Sequence, residues 1–329
     1  MVRVAINGFG RIGRVFTRLI QDHHNIELVA INDLADTKTL AHLLKYDSVH
    51  GHFDGEIDTN GDDLLINQHA VKILTERNPE ELPWVSLGID IVIESTGLFR
   101  TKELASKHIT AGAKKVIISA PSKSDDVKTV VLGINEHLID GTENILSNAS
   151  CTTNATAPLI KVLDDLCGIE AAFLTTVHSY TNDQKLHDAP HDDLRRARGG
   201  AQSIIPTSTG AADAITKIFP QLNGKIEGYA VRVPVPDGSL IDVCATVKKE
   251  VTKDQINAAF QKATTTNLKG VLAYTDEPLV SVDIIGNSHS CIFDADLTTV
   301  IGNTVKIVGW YDNEVGYSNR LVDLIEKIN

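Results

Sequence analysis

The feature that most constrains this chain is a glycine pattern that begins at Gly8. The segment Gly8-Phe9-Gly10-Arg11-Ile12-Gly13 follows an apolar, β-branched run from Val2 to Asn7 and leads into a helical pattern from Arg11 to Asp22. A second apolar run, Ile26 to Asn32, ends directly before Asp33. A GxGxxG between a strand and a helix, followed by an acidic residue about 20 positions later, is the fingerprint of a β-α-β unit that binds a dinucleotide.

Each element of this fingerprint has a separate physical role. Gly8 permits the tight turn, Gly10 lets the backbone approach the pyrophosphate, and Gly13 allows the helix to pack closely on the strand. The pyrophosphate then binds the free N–H groups at the helix start. Asp33 would accept hydrogen bonds from the adenosine ribose and would repel a 2′-phosphate, which favours NAD over NADP. The alternative, a glycine-rich turn beside a surface aspartate, does not account for this context.

The rest of the first half continues the alternation of strands and helices. Strands are predicted at Ile89–Glu94, Lys115–Ser119 and Thr129–Leu132, and helices at Thr37–Lys45 and Thr101–Ala111. This order predicts an α/β fold with a parallel, doubly wound sheet of the Rossmann type. Residues 53–75 alternate more strictly and contain more turn residues, so we expect a β insertion there rather than part of the sheet core.

The second half has a different pattern, with longer strands in succession and fewer helices. Strands are predicted at Ala171–His178, Glu227–Val233, Leu240–Lys248, Cys291–Phe293 and Thr304–Trp310, and helices at Asp254–Thr264 and Glu314–Ile328. This pattern predicts an α+β domain with a mostly antiparallel sheet. The length of 329 residues also favours two domains, because single cores tend to split beyond about 250–300 residues.

Composition excludes several classes of protein. The net charge of −12 argues against a protein that binds nucleic acid or a membrane surface, which would carry a basic patch. No stretch approaches 18 apolar residues, and no signal-peptide pattern precedes the first strand. The four cysteines lack CxxC spacing, so we expect reduced thiols in a cytoplasmic protein: Cys151, Cys167, Cys244 and Cys291.

Cys151 and His178 form a candidate catalytic pair. Cys151 precedes a run with helical spacing, and the positive end of a helix favours a thiolate. Pro158 lies inside that run, so we expect a kink or a late helix start. His178 ends a predicted strand, where it could meet Cys151 and act as its base. From the residues alone, a buried thiol and a structural histidine remain an equal alternative.

Several residues in the second half suit a bound phosphate. They are the cluster Arg195, Arg196 and Arg198, the hydroxyl-rich segment Thr207–Gly210, and Arg232 at a strand end. A solvated loop paired with Asp192 and Asp193 is the alternative for the arginine cluster, and it is the favoured interpretation of that cluster taken by itself. The neighbouring His187 and His191 lack established metal-ligand spacing, and Pro190 disrupts a helical i, i+4 pair, so no metal site is predicted.

Taken together, these motifs resemble those of phosphorylating glyceraldehyde-3-phosphate dehydrogenases. The similarity is collinear and spans essentially the whole chain. Its segments are Ala5–Arg14, Ala149-Ser150-Cys151-Thr152-Thr153-Asn154, Thr176–Thr181, Asp193–Arg198, Thr209–Ala212, Ala230–Pro234 and Trp310–Tyr317.

The resemblance implies an NAD-dependent enzyme and a homotetramer. It implies an NAD-binding domain at 1–148, completed by the C-terminal helix 313–329, and a catalytic domain at 149–312. Further implied cofactor contacts are Arg11, Ile12, Asp33, Arg77, Ser119 and Asn313, the last orienting the nicotinamide carboxamide. Thr181 and Arg232 would hold the substrate phosphate. The inorganic phosphate site would comprise Ser150, Thr152, Thr209 and Gly210, with Arg196 nearby.

The implied reaction converts D-glyceraldehyde 3-phosphate, NAD and inorganic phosphate to 1,3-bisphosphoglycerate through a Cys151 thioester, with His178 as base. An erythrose-4-phosphate dehydrogenase is the nearest alternative. A non-catalytic NAD-binding or nucleic-acid-binding protein is a second, from another class. The sequence departs from the family at Ala155, where a second cysteine is usual, and at Ala189, which weakens the cofactor preference inferred from Asp33.

Overall fold

The computed structural model describes all residues from Met1 to Asn329, and the chain divides into two compact units. The first comprises Met1–Val130, Glu136–Ala149 and Ser318–Asn329, and the second comprises Val131–Asn135 and Ser150–Tyr317. The predicted functional division, 1–148 with 313–329 against 149–312, stays a prediction. No helix is both long enough and apolar enough to cross a membrane.

The first unit is built on a nine-stranded sheet. Its strands, together with a separate two-stranded ribbon formed by β3 and β4, are Val2–Asn7 (β1), Ile26–Asn32 (β2), Tyr46–Asp47 (β3), Gly51–His52 (β4), Ile57–Asn60 (β5), Asp63–Ile66 (β6), His69–Leu74 (β7), Ile91–Glu94 (β8), Lys115–Ile118 (β9), Lys128–Thr129 (β10) and Ile145–Ser147 (β11). The sheet order is β10-β11-β9-β8-β1-β2-β7-β6-β5, and every pair is parallel except β5–β6 and β6–β7.

Two of the first four helices of this unit begin at a side chain that caps them. These four helices are Arg11–Leu19 (α1), Thr37–Lys45 (α2), Trp84–Leu87 (α3) and Lys102–Thr110 (α4). The Asp36 carboxylate caps α2 by accepting from the Thr39 N–H, and the Thr101 hydroxyl caps α4 by accepting from the Leu104 N–H. Such caps satisfy donors that have no partner within the helix. The Rossmann-type doubly wound sheet predicted from the alternation is confirmed.

The prediction for residues 53–75 is only partly right. The segment is β-rich, but β7 pairs in parallel with β2 and therefore belongs to the main sheet rather than to an insertion outside it. Val71 and Ile73 are buried, while their neighbours are exposed. Strict alternation signals burial on one face, and a strand of the main sheet with one exposed face satisfies that condition as well as an insertion does.

The second unit is built on a seven-stranded mixed sheet. Its strands are Ile169–Ser179 (β12), Ile205–Thr207 (β13), Ile226–Val233 (β14), Ser239–Val247 (β15), Leu272–Thr275 (β16), Cys291–Ile301 (β17) and Thr304–Tyr311 (β18), in the order β13-β14-β12-β15-β18-β17-β16. The β12–β14 and β16–β17 pairs are parallel and the others are antiparallel. The predicted α+β class is therefore confirmed.

The helices of the second unit are Cys151–Cys167 (α5), Ala211–Ile218 (α6) and Lys253–Thr265 (α7). The C-terminal helix Val315–Ile328 (α8) belongs to the first unit from Ser318 onward. Helix α5 packs on the sheet and begins at Cys151, so the expected late start is wrong. The helix continues through Pro158, which is buried along with Leu159 and Ile160. Burial of this apolar surface outweighs the one backbone hydrogen bond that a proline removes.

Candidate active site

The glycine turn of the first unit has the geometry that its spacing predicts. Gly8 has φ +94°, and a Cβ there would lie 2.7 Å from the Thr96 backbone nitrogen. A Cβ on Gly13 would lie 2.7 Å from the Gly8 carbonyl oxygen, so only glycine lets α1 pack this close to β1. A Cβ on Gly10 would meet nothing within 4 Å. Gly10 thus faces open space at the start of a helix that has no side-chain cap.

A cavity of about 370 Å³ opens beside this turn, at the carboxyl ends of β1, β2 and β8. This is where open α/β sheets bind ligands. Of the predicted cofactor residues, Gly8, Gly10, Asp33 and Arg77 line it. Ile12, Gly13 and Ser119 are not among its lining residues, and Arg11 forms an ion pair with Asp47. The open backbone at the start of α1 and the nearby Asp33 carboxylate fit a bound dinucleotide.

Some lining residues were not predicted, among them Asn32, Thr96 and Phe99. Thr96 could have been found, because it lies two residues after the end of β8, the strand adjacent to β1. Asp33 has an unpredicted role as well. Its carboxylate accepts hydrogen bonds from the Phe9 N–H at 2.7 Å and the Ala35 N–H at 3.0 Å, and so holds the glycine turn in place.

A buried polar network lies next to the cavity. The Glu94 carboxylate accepts from Asn7 Nδ2 at 2.6 Å and lies 3.1 Å from His108 Nε2. Trp84 Nε1 donates to His108 Nδ1 at 3.1 Å. Because an indole nitrogen can only donate, Nδ1 is the acceptor, and the proton of the neutral ring is on Nε2, facing Glu94. The tautomer of His108 is therefore fixed.

The second unit brings Cys151 and His178 together. Cys151 is the first residue of α5, and the Ser150 hydroxyl caps this helix by accepting from the Thr153 N–H at 3.0 Å. His178 is the next-to-last residue of β12. Cys151 Sγ lies 3.5 Å from His178 Nε2, within the range for a hydrogen bond to sulfur. The predicted contact between these two residues is present.

Burial acts on the pKa of both members of this pair. It lowers the pKa of His178 to about 3, assisted by the positive charge of Arg232. Burial also raises the pKa of Cys151, although Arg232 and the hydrogen bonds from Thr152 oppose this shift. Withdrawal from water therefore acts against the thiolate that the positive helix end favours, and the thiolate expected at this helix start stays a prediction.

Arg232 lies against the histidine because β14 runs parallel to β12 with Arg232 in register with His178. Its Nη1 is 2.7 Å from His178 Nδ1 and donates to the Ser179 carbonyl at 2.9 Å. Its Nε is buried and has no hydrogen-bond partner. A buried donor without a partner is costly, which indicates that the guanidinium is positioned for a ligand.

Two further predicted site residues, Asn313 and Thr152, lie in clusters of hydrogen-bonded side chains. Asn313 Oδ1 accepts from the hydroxyls of Ser179, at 2.5 Å, and Ser239, at 2.7 Å. Its amide orientation is thereby fixed, which leaves Nδ2 to donate elsewhere. The hydroxyl of Thr152 lies 3.1 Å from that of the buried Tyr311, whose ring packs edge-on against His178. Neither serine nor Tyr311 was predicted, since nothing in their spacing distinguishes them.

The predicted anion-binding loop is organised around Arg196. Its guanidinium donates to Thr207 Oγ1 at 2.9 Å, to the Asp183 carboxylate at 2.7 Å and to the Ser208 carbonyl at 3.2 Å. It makes no hydrogen bond with Cys151 or His178, although its charge contributes to the lowered His178 pKa. The Arg196 guanidinium is therefore held by hydrogen bonds within the protein, which the alternative of a solvated loop did not include.

The remaining predicted phosphate residues lie at the edges of this loop. Gly210 is the N-cap of α6, and a Cβ there would meet open space. The Thr209 hydroxyl accepts from the Ala211 N–H at 3.2 Å. The Thr181 N–H donates to the Gln184 side chain at 3.3 Å. Their roles in binding phosphate stay predictions.

The histidines near Pro190 are part of the same loop. His191 Nδ1 accepts from the Asp193 N–H at 2.8 Å, and its Nε2 lies 3.3 Å from Asp183. Asp188 pairs with Arg198 at 2.8 Å. These contacts join Asp183 and Asp188 to the segment His191–Arg198.

A dinucleotide-type glycine turn in one unit and a paired thiol and imidazole in the other are features of NAD-dependent dehydrogenases, and the chain is a member of that class. Comparison with known families narrows the class. The model described as the glyceraldehyde 3-phosphate dehydrogenase NAD binding domain matches residues 2–102, and that of the C-terminal domain matches residues 150–313.

Comparison with curated proteins agrees. The chain is 55% identical over 326 residues to glyceraldehyde-3-phosphate dehydrogenase 2 of Streptomyces avermitilis, covering 98% of this chain and 97% of the relative. It is 54% identical over 325 residues to the glyceraldehyde-3-phosphate dehydrogenase of Geobacillus stearothermophilus, with the same coverage of both chains. The chain belongs to the glyceraldehyde-3-phosphate dehydrogenase family.

Proposed function

We propose that this chain oxidises D-glyceraldehyde 3-phosphate with NAD and inorganic phosphate to give 1,3-bisphosphoglycerate. The observation that carries the proposal is the 3.5 Å approach of Cys151 Sγ to His178 Nε2, with Arg232 on the other side of the imidazole. A thiol beside a base forms covalent acyl intermediates, and an adjacent cation suits a phosphorylated substrate.

The reaction follows from these residues. The S–H bond of Cys151 breaks as Sγ bonds to the aldehyde carbon, and the thiol proton passes by way of His178 Nε2 to the carbonyl oxygen, which becomes the hydroxyl of a hemithioacetal. His178 Nε2 takes the hydroxyl proton as the carbon is oxidised to a thioester. NAD, when bound, accepts the hydride that leaves this carbon. An oxygen of inorganic phosphate then bonds to the acyl carbon, and the carbon–sulfur bond breaks to restore Cys151.

Two phosphate groups must be held during this sequence. We assign the substrate phosphate to Thr181 and Arg232, because the Arg232 guanidinium has a buried donor without a partner. We assign inorganic phosphate to Ser150, Thr152, Thr209 and Gly210, with Arg196 nearby. The open space at Gly210, at the start of α6, supports this assignment, since a helix start offers unpaired N–H groups to an anion.

The same proposal assigns the cofactor contacts. Gly8, Gly10 and Gly13 would form the pyrophosphate turn, with Arg11, Ile12, Arg77 and Ser119 around it and Asp33 at the ribose. Asn313 would donate from Nδ2 to the nicotinamide carboxamide, and the two serine hydroxyls on Oδ1 support this direction of the bond. The functional domains would be 1–148 with 313–329, and 149–312.

We further propose that the enzyme works as a homotetramer in the cytoplasm. One face of the β12–β14 part of the sheet exposes Phe173 at 67% and Tyr229 at 51% of their surfaces. Apolar side chains grouped on a sheet face in this way are typical of a subunit interface. A second copy of this chain would cover them.

The activity is tested by NADH formation from D-glyceraldehyde 3-phosphate with and without inorganic phosphate. We expect sustained turnover only with phosphate present. Erythrose 4-phosphate is assayed in parallel, and a higher kcat/KM for it would establish the erythrose-4-phosphate alternative. Absence of NADH formation with either aldehyde would contradict the proposal.

A further inference from the structure

Three neighbouring strands of the first unit, β8, β1 and β2, each end in a buried polar side chain. Their last residues are Glu94, Asn7 and Asn32, and both Glu94 and Asn32 are in register with Asn7. These side chains are 1%, 2% and 5% exposed, respectively. Asn7 and Asn32 also line the cofactor cavity. We refer to the three side chains as the polar row.

The hydrogen bonds of the polar row all run toward Glu94. Asn32 Nδ2 donates to Asn7 Oδ1 at 2.7 Å, and Asn7 Nδ2 donates to the Glu94 carboxylate at 2.6 Å. A carboxylate only accepts, so Asn7 must turn its Nδ2 to Glu94 and its Oδ1 to Asn32. Asn32 must in turn present Nδ2 to Asn7. Glu94 therefore fixes the orientation of both amides.

Asn32 extends the row beyond the last backbone pair of β2 and β7, which joins Asn32 to Leu74. Two residues later, the Glu76 N–H donates to Asn32 Oδ1 at 2.8 Å, and Asn32 Nδ2 donates to the Glu76 carbonyl at 2.8 Å. The side-chain amide thus binds both backbone polar groups of Glu76. Since the two protons of Nδ2 go to Asn7 and to Glu76, an aspartate of the same shape could not replace it.

The segment held by Asn32 carries Arg77. Glu76 Oε1 accepts from the Asn78 N–H at 2.8 Å, so the chain is held on both sides of Arg77. Arg77 lines the cavity and is exposed, and no hydrogen bond or ion pair within the chain holds its guanidinium. The place of this guanidinium therefore depends on how the backbone beside it is held, which is the contribution of Asn32.

The other end of the polar row holds a second part of the cavity lining. The Glu94 carboxylate accepts from the Thr96 N–H at 2.9 Å and from the Thr96 hydroxyl. Thr96 Oγ1 in turn accepts from the Leu98 N–H at 3.0 Å. Both Thr96 and Leu98 line the cavity. One series of hydrogen bonds therefore connects these two residues with Glu76 and Arg77.

We propose that Asn7, Asn32 and Glu94 are positioning residues for the adenosine half of NAD, and that they act through Arg77. In the sheet β2 lies between β1 and β7, so the loop after β7 lies beyond the strand that leads into Asp33, the residue assigned to the adenosine ribose. A guanidinium there can stack on the adenine ring or bind a phosphate oxygen. The inference rests on the proposed contact of Arg77 with the cofactor.

A double-mutant cycle on NAD affinity tests whether Asn32 acts through Arg77. Asn32→Asp keeps the acceptor for the Glu76 N–H but removes both donors, so NAD should bind about tenfold more weakly. Arg77→Ala should also weaken binding, and adding Asn32→Asp to it should cost at most about a further twofold. Additive effects of the two substitutions would overturn the inference.

A second substitution separates the effects of charge and folding. Asn32→Ser adds no charge, is too short to bind Glu76 and admits water, and it should give the same non-additive result with Arg77→Ala. For both Asn32 variants, kcat at saturating NAD should stay within about twofold of the wild type, because the reacting groups are untouched. A fall in kcat with unchanged NAD affinity would show that Asn32 does not position the cofactor.

Glu94→Gln tests whether the polar row acts as one unit. The new NH₂ group must face either the Thr96 N–H or Asn7 Nδ2, and both of these donate. If the Asn7 amide turns to accept, the conflict passes to Asn32. We expect about tenfold weaker NAD binding that does not add to the effect of Asn32→Asp. Unchanged affinity, or an additive effect, would show that the three side chains do not act together.

Two comparisons assign the effect to the adenosine half. ADP-ribose, which lacks the nicotinamide, should lose the same factor of affinity as NAD in each variant, and a loss confined to NAD would overturn the inference. Asn257→Leu is the matched control, because Asn257 Nδ2 donates to the Ala295 carbonyl at 3.0 Å in the second unit. It should lower Tm without changing either affinity.

These measurements distinguish failure of this inference from failure of the proposed function. Unchanged NAD affinity in Arg77→Ala would refute both the proposed contact of Arg77 and the positioning role. Weaker binding in Arg77→Ala with unchanged binding in both Asn32 variants would refute the positioning role alone. Absence of turnover with glyceraldehyde 3-phosphate in the wild type would refute the proposed function, while the results on NAD affinity would still decide the role of Asn32.

Discussion

The two buried histidines of this protein have the same ring but different surroundings. His108, in the first unit, has Trp84 at Nδ1 and Glu94 and Asn7 at Nε2, and its tautomer is fixed by the donation from Trp84. His178, in the second unit, has two partners competing for Nδ1 and a thiol at Nε2. A fully satisfied polar group stabilises a structure, whereas a ring nitrogen that faces a thiol is placed for proton transfer.

The same contrast distinguishes the two regions as a whole. The cofactor cavity is shaped mainly by backbone and by positions where a side chain is excluded, as at Gly8 and Gly13. The reactive site is assembled from side chains on α5, β12 and β14, in which Cys151, His178 and Arg232 meet. We therefore expect substitutions in the first region to change binding or stability, and substitutions in the second to change chemistry.

The largest effect is expected at the nucleophile. Cys151→Ser should abolish formation of 1,3-bisphosphoglycerate, because no thioester can form, while NAD affinity stays unchanged. The measurement is steady-state NADH formation together with NAD binding by titration calorimetry. Cys244→Ser is the matched control, since Cys244 is exposed on β15 and should be dispensable. Appreciable turnover in Cys151→Ser would contradict the assignment.

Substituting each of the two buried histidines in turn tests the contrast between the two units. His178→Asn should slow hydride transfer by ~10²–10⁴-fold with little change in Tm, since a positioned base is lost. His108→Asn should do the reverse. It should destabilise the protein by about 1–3 kcal/mol, because Trp84 and Glu94 lose a buried partner, and leave the chemical step intact. Stopped-flow kinetics and thermal unfolding of both variants check this. Equal effects on rate would remove the distinction.

Two glycines test the cofactor region in the same way. Gly10→Ala introduces a Cβ into open space, so folding should be unaffected, but the methyl group should keep the pyrophosphate from the backbone. Losing one charge-assisted hydrogen bond corresponds to roughly 10–100-fold weaker NAD binding. Gly13→Ala should instead lower Tm, because its Cβ meets the Gly8 carbonyl. If Gly10→Ala binds NAD as the wild type does, the pyrophosphate lies elsewhere.

The smallest effect concerns the pH dependence of stability. Burial, with the nearby carboxylates of Asp312 and Glu314, raises the pKa of Asp237 to about 8. The folded state thus holds a proton that the unfolded chain releases near pH 4, and this contribution to stability is lost as pH rises from about 4 to 8. Asp237→Asn should lack that dependence. Its Tm relative to wild type should rise by a few degrees across this range. A constant difference would show that Asp237 is ionised at neutral pH.

Much of this architecture could be predicted from local patterns. The succession of β1, α1 and β2 and the cap at Thr101 follow from hydrophobic periodicity and residue type, which act over a few neighbouring positions. Three strands of three or four residues were missed because they are too short to show a period: Ile145–Ser147, Ile205–Thr207 and Leu272–Thr275. The assignment of residues 53–75 was wrong in part. Alternation indicates that one face of a strand is buried, but it does not indicate which strand pairs with it.

The candidate site was predicted unevenly for a related reason. Cys151 and His178 were found from their places at a helix start and a strand end, and Arg232 from its strand end. The directions of their pKa shifts could not be predicted, because a pKa depends on burial and on neighbours distant in sequence. Ser239 and Tyr311 reach the site through the pairing of β15 with β18, which no local pattern encodes.

In the proposed reaction Cys151 carries the acyl group between oxidation and phosphate attack. The decisive experiment mixes the enzyme with glyceraldehyde 3-phosphate and NAD in the absence of inorganic phosphate, quenches in acid and maps the adduct by mass spectrometry. We expect a burst of one NADH per chain, an acyl group on the peptide that contains Cys151, and its release on addition of phosphate. A burst without an adduct, or an adduct on Cys167, Cys244 or Cys291, would contradict this role of Cys151.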